Sequence, residues 1–288
     1  MKSIKLNAAA KVNLSLDIVG RMENGYHELD MIVCPVSWYD VITICEAEEG
    51  ITLNCDGGIP TDERNIAYRA AEVILKDRCD RGVNITIEKH IPSQAGLGGG
   101  SSDGAAVLYG INMLYNLGLT KEELMGMGLK LGADVPLFLA ESAVRARGIG
   151  EKLTKVDIHA PIHMVILKPE AGLSTPEVYG GYDTVGKPFA LATDRLVKGL
   201  EEGFMKIAYG AMGNVMEPAA MALCPDVRRA KESLLACGAL VAPMSGSGSA
   251  VFGVFESEAA ADAAVKELEA TWSICRKVKT VAKGIIEA

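Results

Sequence analysis

The chain has 288 residues, of which 49% are apolar and 23% are charged, close to the average for a globular protein. Its 29 basic and 37 acidic residues give a net charge of −8, which argues against a nucleic-acid partner but leaves room for one local phosphate pocket. No apolar run approaches the roughly 18 residues of a membrane span, so we expect no membrane partner and a cytoplasmic location. The seven cysteines and four histidines lack metal-ligand spacing and predict packed side chains.

Strands and turns dominate the start of the chain. Predicted strands of one antiparallel meander occupy residues 11–19, 28–37, 40–46 and 51–55. The pair Asn24-Gly25 is typical of a tight hairpin turn, and residues 56–58 predict another turn. Period-two alternation places the apolar side chains of the first strand on one face: Val12, Leu14, Leu16 and Ile18.

Helices and strands alternate from residue 65 onwards. Predicted helices cover residues 65–79, 101–117, 120–131, 193–210, 226–237 and 257–270. Predicted strands cover residues 83–88, 162–168, 249–255 and 274–282. Thr120 and Glu123 predict a capping box, and Pro136 predicts a short turn. This order predicts an α+β protein with two domains, residues 1–155 and 156–288, and shows no motif over residues 180–225.

The strongest local signal is a glycine-rich loop over residues 92–103, with the sequence PSQAGLGGGSSD, between a predicted strand and a predicted helix. Its glycines let the backbone approach a ligand, and the free N–H groups of a first helical turn bind anions. The Ser101 and Ser102 hydroxyls can add a contact to phosphate or Mg²⁺. The loop lacks the lysine of a Walker A motif and the third glycine of a dinucleotide fingerprint. The alternative is a flexible loop that only caps the helix.

The segment P-x-x-x-G-L-G-G-G-S-S resembles the phosphate loop of the GHMP kinases, such as homoserine kinase and mevalonate kinase. Further segments are similar to one family within that group, the 4-diphosphocytidyl-2-C-methyl-D-erythritol kinases. These segments are residues 10–14 with 20–21 and 25–29, residues 132–136, residues 146–151 and residues 244–249. Ala95 and Asp103 depart from the glycine and asparagine that are common in this family.

The resemblance implies the GHMP kinase fold, with an N-terminal domain like domain 2 of ribosomal protein S5 and a ferredoxin-like C-terminal domain. It implies ATP- and Mg²⁺-dependent phosphorylation of the 2-hydroxyl of 4-diphosphocytidyl-2-C-methyl-D-erythritol, in the non-mevalonate route to isoprenoid precursors. The expected partner is this small cytidine diphosphate substrate, and the expected state is a monomer or homodimer. The alternatives are a GHMP kinase for homoserine or a mevalonate derivative, and a nucleotide-binding regulator without turnover.

Two residues are candidates for the chemistry itself. Asp134, on a tight turn before Pro136, can accept a substrate proton or cap the turn. Lys11 lies among apolar neighbours of a strand, where it either has a special role or extends to solvent. The resemblance makes Asp134 the catalytic carboxylate and Lys11 its cationic partner, and assigns Asn13, on the same strand face, to the substrate.

The resemblance assigns ATP to the glycine loop and the residues beside it. The assigned residues are Asn65, Ile66, Lys89, Pro92, Gly96, Leu97, Gly98, Gly99, Gly100, Ser101 and Ser102. Ser102 is also the candidate ligand for Mg²⁺. Asn65 serves equally well as the N-cap of the helix that follows it.

The resemblance assigns the aromatic residues to the cytosine ring. Tyr26 stacks on one face, His27 reads the edge and Tyr179 covers the other face, with Thr175 nearby. From the residues alone, Tyr26 packs against its own hairpin. The last glycine motif is assigned to the phosphates of the substrate, or else forms a tight turn between strands: Gly246, Ser247 and Gly248.

Overall fold

The computed structural model begins with one long hairpin. Strands β1 (Ser3–Arg21) and β2 (His27–Ala47) pair antiparallel and place Arg21 opposite His27 at the turn. Because β2 is one continuous strand, the predicted break after residue 37 is wrong. The structure describes residues 2–23, 25–56, 58–76, 78 and 80–288. The predicted turn residues Asn24 and Gly57 and the predicted helix end at Cys79 lie outside the described residues.

Short strands and helices make up the rest of the chain, and the α+β class is confirmed. The first half continues with β3 (Ile51–Cys55), α1 (Ile66–Leu75), β4 (Gly82–Glu88), α2 (Gly99–Tyr115), α3 (Lys121–Leu131), α4 (Val135–Leu139), β5 (Ala143–Gly148) and β6 (Lys152–Val156). The second half contains β7 (His163–Leu167), α5 (Thr175–Val185), α6 (Thr193–Glu201), α7 (Met205–Tyr209), β8 (Gly213–Asn214), α8 (Glu217–Leu223), α9 (Asp226–Ala236), β9 (Val251–Phe255), α10 (Glu258–Leu268), β10 (Cys275–Lys279) and β11 (Ile285–Glu287). Within the described residues, none of these helices has the length and apolar character that crossing a membrane requires.

The larger sheet has the strand order β11-β1-β2-β4-β3, with β5 and β6 continuing from β2, and β8 beside β1. Strand β3 runs parallel to β4, so the prediction that residues 51–55 continue an antiparallel meander is wrong. The reason is that α1 crosses over between them and returns the chain in the same direction. Strands β8 and β11 bring the second half of the chain back to this sheet, and the domain boundary near residue 155 stays a prediction.

The smaller sheet has the antiparallel order β10-β7-β9, and α9 and α10 pack against it. Val241 and Met244 add isolated bridges to β9, and the last glycine motif follows them. The strand predicted over residues 274–282 ends at Lys279, and the chain then pairs with β1 of the larger sheet. The smaller sheet therefore holds the end of the segment that precedes the last glycine motif.

The prediction that one face of β1 holds all its apolar side chains is wrong. Val12 and Leu14 belong to the core cluster shared with β7 and β9, whereas Leu16 and Ile18 belong to the cluster shared with α1 and α2. The change of cluster coincides with a register shift at residues 13–15. An extra residue in a strand reverses the alternation of side chains beyond it, because that alternation has a period of two.

Backbone conformation explains where helix α2 begins and ends. It begins at Gly99, two residues earlier than predicted, because Gly98 serves as the N-cap with a φ of +72°. It ends before Asn116, which adopts the left-handed conformation. Thr120 and Glu123 form the predicted capping box at the start of α3, with bonds of 3.2 and 2.8 Å.

Other helix predictions need correction. The helix predicted over residues 193–210 is two helices, because Gly203 has a φ of +78° and ends the first of them. The helix predicted from residue 65 ends at Leu75, and Pro136 lies inside the short helix α4 rather than in a turn. The sequence patterns predict none of β5, β6, α5 and α8.

Candidate active site

A cleft of about 1020 Å³ opens between the β1–β2 hairpin and the loops that precede α2, α4 and β9. It collects most of the residues predicted for the site. These are Lys11, Asn13, Tyr26, His27, Ile66, Lys89, Pro92, Gly96, Leu97, Gly98, Gly99, Gly100, Ser101, Asp134, Thr175, Tyr179, Gly246, Ser247 and Gly248. Asn65 and Ser102 are predicted for the site but do not line the cleft.

Strand β1 presents Lys11 and Asn13 on the same face, since successive side chains alternate. The side chain of Lys11 is 6% exposed, so it does not extend to solvent. Its Nζ donates to Oδ1 of Asn13 at 2.6 Å and lies 3.9 Å from Oδ2 of Asp134. Burial lowers the pKa of Lys11, and the charge of Asp134 offsets part of that effect. This ammonium group is therefore positioned to attract further negative charge into the cleft.

Asp134 directly precedes the short helix α4, whose Leu137 N–H donates to the Asp134 backbone oxygen at 3.2 Å. Its carboxylate makes no capping hydrogen bond with that helix. The side chain is 36% exposed, lines the cleft and faces Lys11. The capping alternative is therefore not supported, and the carboxylate is available to a ligand.

The start of α2 has the features of an anion site. Gly98 has no side chain to cap the helix, so no cap side chain takes up the first N–H groups of α2. Gly99, Gly100 and Ser101 line the cleft at this point. A Cβ placed on Gly100 would meet no atom within 4 Å, which indicates open space beside the backbone. These N–H donors and the positive end of the helix dipole fit a phosphate group.

Two glycine-containing loops are in direct backbone contact. Ser245 Oγ donates to the Gly96 carbonyl oxygen at 2.9 Å and accepts from the Asn13 N–H at 3.2 Å. The N–H of Ala250 donates to the Ala95 carbonyl oxygen at 3.1 Å. Gly96 has a φ of +73°, and a Cβ on it would lie 2.0 Å from the Ser245 carbonyl oxygen. The phosphate loop and the loop before β9 thus hold each other in place.

Lys89 lies between two buried carboxylates beside the cleft. Its Nζ donates to Oδ2 of Asp40 and, at 2.8 Å, to Oδ2 of Asp103. Oδ1 of Asp40 accepts from the N–H groups of His90 and Ile91 at 2.6 and 2.8 Å. Burial raises the pKa of Asp103 to about 7, although the charge of Lys89 acts in the opposite direction. Burial also disfavours a charged Lys89, but the two carboxylates outweigh it and raise its pKa.

Asn65 and Ser102 are buried and do not line the cleft. Oδ1 of Asn65 accepts from the Ala67 N–H at 2.9 Å, so Asn65 is the N-cap of α1, and its Nδ2 donates to the Pro60 carbonyl oxygen. Ser102 is fully buried, and its Oγ has no hydrogen-bond partner among the described residues. The roles of Asn65 and Ser102 toward the nucleotide stay predictions. Among the described residues, no group of three or more His, Cys, Asp or Glu side chains could hold a metal.

Part of the cleft lining is aromatic. His27 stacks on Tyr179 with ring centroids 4.7 Å apart, and Tyr182 meets the same ring edge-on at 6.0 Å. Nε2 of His27 lies 2.7 Å from Oδ1 of Asp183. Tyr26 also lines the cleft and is 62% exposed. One face of Tyr179 is thus covered by His27 before any ligand is bound.

Sequence reasoning missed Tyr182 and Asp183, which lie in the segment where it found no motif. Together with Tyr179 they follow the i, i+3, i+4 spacing of one helix face. A helix predicted over this segment would have grouped the three residues on one face. The sequence also held no signal for Asn214, which is fully buried. Its Nδ2 donates to the carbonyl oxygens of Met244 and Gly246 at 3.0 and 2.7 Å, which supports the loop before β9.

Two family models match the chain. The model of the GHMP kinases N terminal domain matches residues 65–142, which include the phosphate loop and Asp134. The model of the GHMP kinases C terminal matches residues 196–274, which include the loop before β9. The expected GHMP kinase fold is confirmed.

Named relatives cover nearly the whole chain. The 4-diphosphocytidyl-2-C-methyl-D-erythritol kinase of Alkaliphilus metalliredigens (strain QYMF) is 44% identical over 272 residues, 93% of this chain and 93% of its own. A crystal structure of 4-(cytidine 5'-diphospho)-2C-methyl-D-erythritol kinase has a TM-score of 0.83 and 34% identity, covering 96% of this chain and 99% of the other. A homoserine kinase from Cytophaga hutchinsonii has a TM-score of 0.79 at 22% identity, covering 100% and 98%, and shares the fold alone.

The contact between the two loops predicts that adding one methyl group at Gly96 destabilises the protein. We expect Gly96→Ala to lower the free energy of unfolding by at least about 2 kcal/mol, because the left-handed φ is strained for alanine and the Cβ overlaps the Ser245 carbonyl oxygen. Urea denaturation measures the change. Gly126→Ala, in α3 with no atom within 4 Å of the added Cβ, is the control and should be neutral or stabilising. Equal stabilities for the two variants would contradict the prediction.

The raised pKa of Asp103 predicts a pH-dependent stability. The folded protein holds this proton up to a pH of about 7, whereas an unfolded aspartate loses it near pH 4. Its contribution to stability is therefore present at low pH and lost as the pH rises through 7. We expect Asp103→Asn to gain stability over the unmodified protein as the pH rises from 5 to 8, measured by urea midpoints. Parallel curves for the two proteins would contradict this, and Asp157→Asn, at an exposed surface position, is the control.

Proposed function

The chain belongs to the 4-diphosphocytidyl-2-C-methyl-D-erythritol kinases, a family of the GHMP kinases, and we propose which of its residues carry out the reaction. The protein is an ATP-dependent small-molecule kinase that phosphorylates the 2-hydroxyl of 4-diphosphocytidyl-2-C-methyl-D-erythritol in non-mevalonate isoprenoid biosynthesis. The 44% identity over 93% of both chains carries this conclusion. Solved homoserine and mevalonate kinases are 22% and 19% identical and share only the fold, so those alternatives lack support.

The chemistry needs one proton acceptor and one positive charge. The substrate hydroxyl loses its proton, its oxygen forms a bond to the γ-phosphorus of ATP, and the bond from that phosphorus to the β–γ bridging oxygen breaks, releasing ADP. We assign Asp134 as the acceptor of the proton, because its carboxylate faces the cleft and has no capping bond. Lys11, 3.9 Å from Asp134, presents its charge to the attacking oxygen, and Asn13 holds the ammonium in position.

The start of α2 is the proposed site of the ATP phosphates, with Ile66, Lys89 and Pro92 lining the cleft nearby. When Mg²⁺ is bound with the nucleotide, it neutralises charge on the β- and γ-phosphates. The buried Oγ of Ser102, without a partner among the described residues, fits a polar group bound at the start of the helix, and Ser102 stays the candidate ligand.

The remaining cleft residues are proposed to bind the substrate. Tyr26, His27 and Tyr179 are proposed to form the pocket for cytosine, where aromatic side chains can stack on the base. The hydroxyls of Thr175 and Ser247 lie 2.8 Å apart, and both residues line the cleft. Together with the backbone amides of residues 246–248 they are proposed to hold the diphosphate.

The protein is proposed to act in the cytoplasm, as a monomer or homodimer. The net charge of −8 supports the expectation that nucleic acid is not a partner.

A panel of substrates tests the function. Purified protein with ATP and Mg²⁺ should release ADP with 4-diphosphocytidyl-2-C-methyl-D-erythritol and should give at least a hundredfold lower kcat/KM with homoserine, mevalonate or phosphomevalonate. A coupled assay of ADP release measures the four rates. Turnover with another substrate would leave the fold assignment intact but overturn the substrate assignment. ATP binding without any turnover would support the regulator alternative.

Removal of the proton acceptor tests the mechanism. We expect Asp134→Asn to lower kcat by about a hundred- to ten-thousand-fold, because the amide cannot accept the hydroxyl proton. The KM of ATP should change little, since the proposed phosphate site lies on α2. Asp157→Asn is the control for an aspartate outside the cleft. A kcat of Asp134→Asn close to that of the control would overturn the assignment.

A further inference from the structure

One face of helix α5 holds the ring of His27. Tyr179 stacks on the ring with planes 20° apart, Tyr182 meets it edge-on and Asp183 bonds its Nε2. These residues are spaced i, i+3 and i+4, so they project from the same side of the helix. The His27 side chain is only 13% exposed, yet it lines the cleft. Its orientation is therefore set before a ligand enters.

The bond to Asp183 determines which ring nitrogen carries the proton. Oδ2 of Asp183 also lies 3.7 Å from Nη1 of Arg21, the residue that pairs with His27 across the hairpin. The hydrogen bond from His27, with further help from Arg21, holds the pKa of the Asp183 carboxyl below its usual range. An ionised carboxylate only accepts hydrogen bonds, so Nε2 of His27 must be the donor. In the neutral ring, Nδ1 then carries a lone pair and accepts.

We propose that Asp183 is a positioning residue that, by fixing the tautomer of His27, makes the site select a base with an exocyclic amino group. The inference rests on the proposed function, in which this pocket receives the base of a nucleoside diphosphate. The 4-amino group of cytosine donates a hydrogen bond to an accepting Nδ1. The 4-oxo group of uracil is an acceptor. Because Nδ1 is also an acceptor, no hydrogen bond forms between them. A site built for one hydrogen-bonding pattern rejects its mismatch strongly.

Asp183→Asn tests the inference because asparagine has nearly the same shape as aspartate but carries an N–H donor, which changes the tautomer of His27. Arg21, which can only donate, faces the Oδ2 position and holds the amide oxygen there, so the amide N–H faces Nε2. This donor moves the ring proton to Nδ1 and turns that atom into a donor. We expect the preference for the cytidyl over the uridyl substrate, measured as kcat/KM at pH 8, to fall at least tenfold. The fall should arise from KM, with a higher KM for the cytidyl compound and a lower one for the uridyl compound. A purely structural defect would raise both KM values.

Two measurements separate this inference from the proposed function. Calorimetric titration with cytidine diphosphate and uridine diphosphate tests the base preference without turnover. Nitrogen-15 NMR of labelled histidine should find the proton of His27 on Nε2 in the unmodified protein and on Nδ1 in Asp183→Asn. Asp157→Asn, an exposed aspartate paired with Lys155, is the matched control and should behave like the unmodified protein. An unchanged base preference in Asp183→Asn, or a proton on Nδ1 of the unmodified protein, would overturn the inference.

Discussion

The proposed active-site cleft depends on the direct backbone contact between two loops that are far apart in the chain. The carbonyl oxygen of Ser245 occupies the space where any residue but glycine at position 96 would place its Cβ. The Ser245 hydroxyl binds Gly96 and also reaches β1 at Asn13. One residue therefore joins the phosphate loop, the strand that carries Lys11 and the smaller sheet. The distance between the proposed nucleotide and substrate sites follows from this junction.

Two buried ammonium groups beside the cleft have opposite electrostatic environments. Lys89 lies between Asp40 and Asp103, and the two carboxylates raise its pKa in spite of burial. Lys11 is also buried, but its partners are an amide oxygen and a carboxylate 3.9 Å away, and its pKa is lowered. Lys89 is therefore neutralised by the protein itself, which suits a structural support of the loop. The charged form of Lys11 is stabilised more by additional negative charge, which suits an ammonium group that contacts the phosphoryl group during transfer.

The residues proposed for substrate selection and those proposed for phosphoryl transfer come from different parts of the molecule. The fold is shared with a homoserine kinase at 22% identity, so the fold alone does not identify the acceptor. The glycine loop and the proposed catalytic pair lie on β1 and at the starts of α2 and α4, whereas the aromatic pocket depends on α5 and the β1–β2 hairpin. Helix α5 brings Tyr179 and Asp183 to His27 as one unit. We therefore expect a change in this helix to alter the base that is bound while leaving the proposed phosphoryl-transfer residues in place.

Local patterns in the sequence predicted the glycine loop, the capping box at Thr120 and most of the helices, and family resemblance singled out Lys11 and Asp134 as candidate catalytic residues. These features depend on residues within a few positions of each other, or on a motif that can be compared directly. Only the tertiary structure decided that β3 runs parallel to β4, that a register shift turns the side chains of β1 and that Asp183 binds His27. Those features join residues up to 156 positions apart, and no local propensity encodes such pairings. They are selected when the two sheets and their helices pack together, because only then do burial and hydrogen-bond satisfaction distinguish one pairing from another.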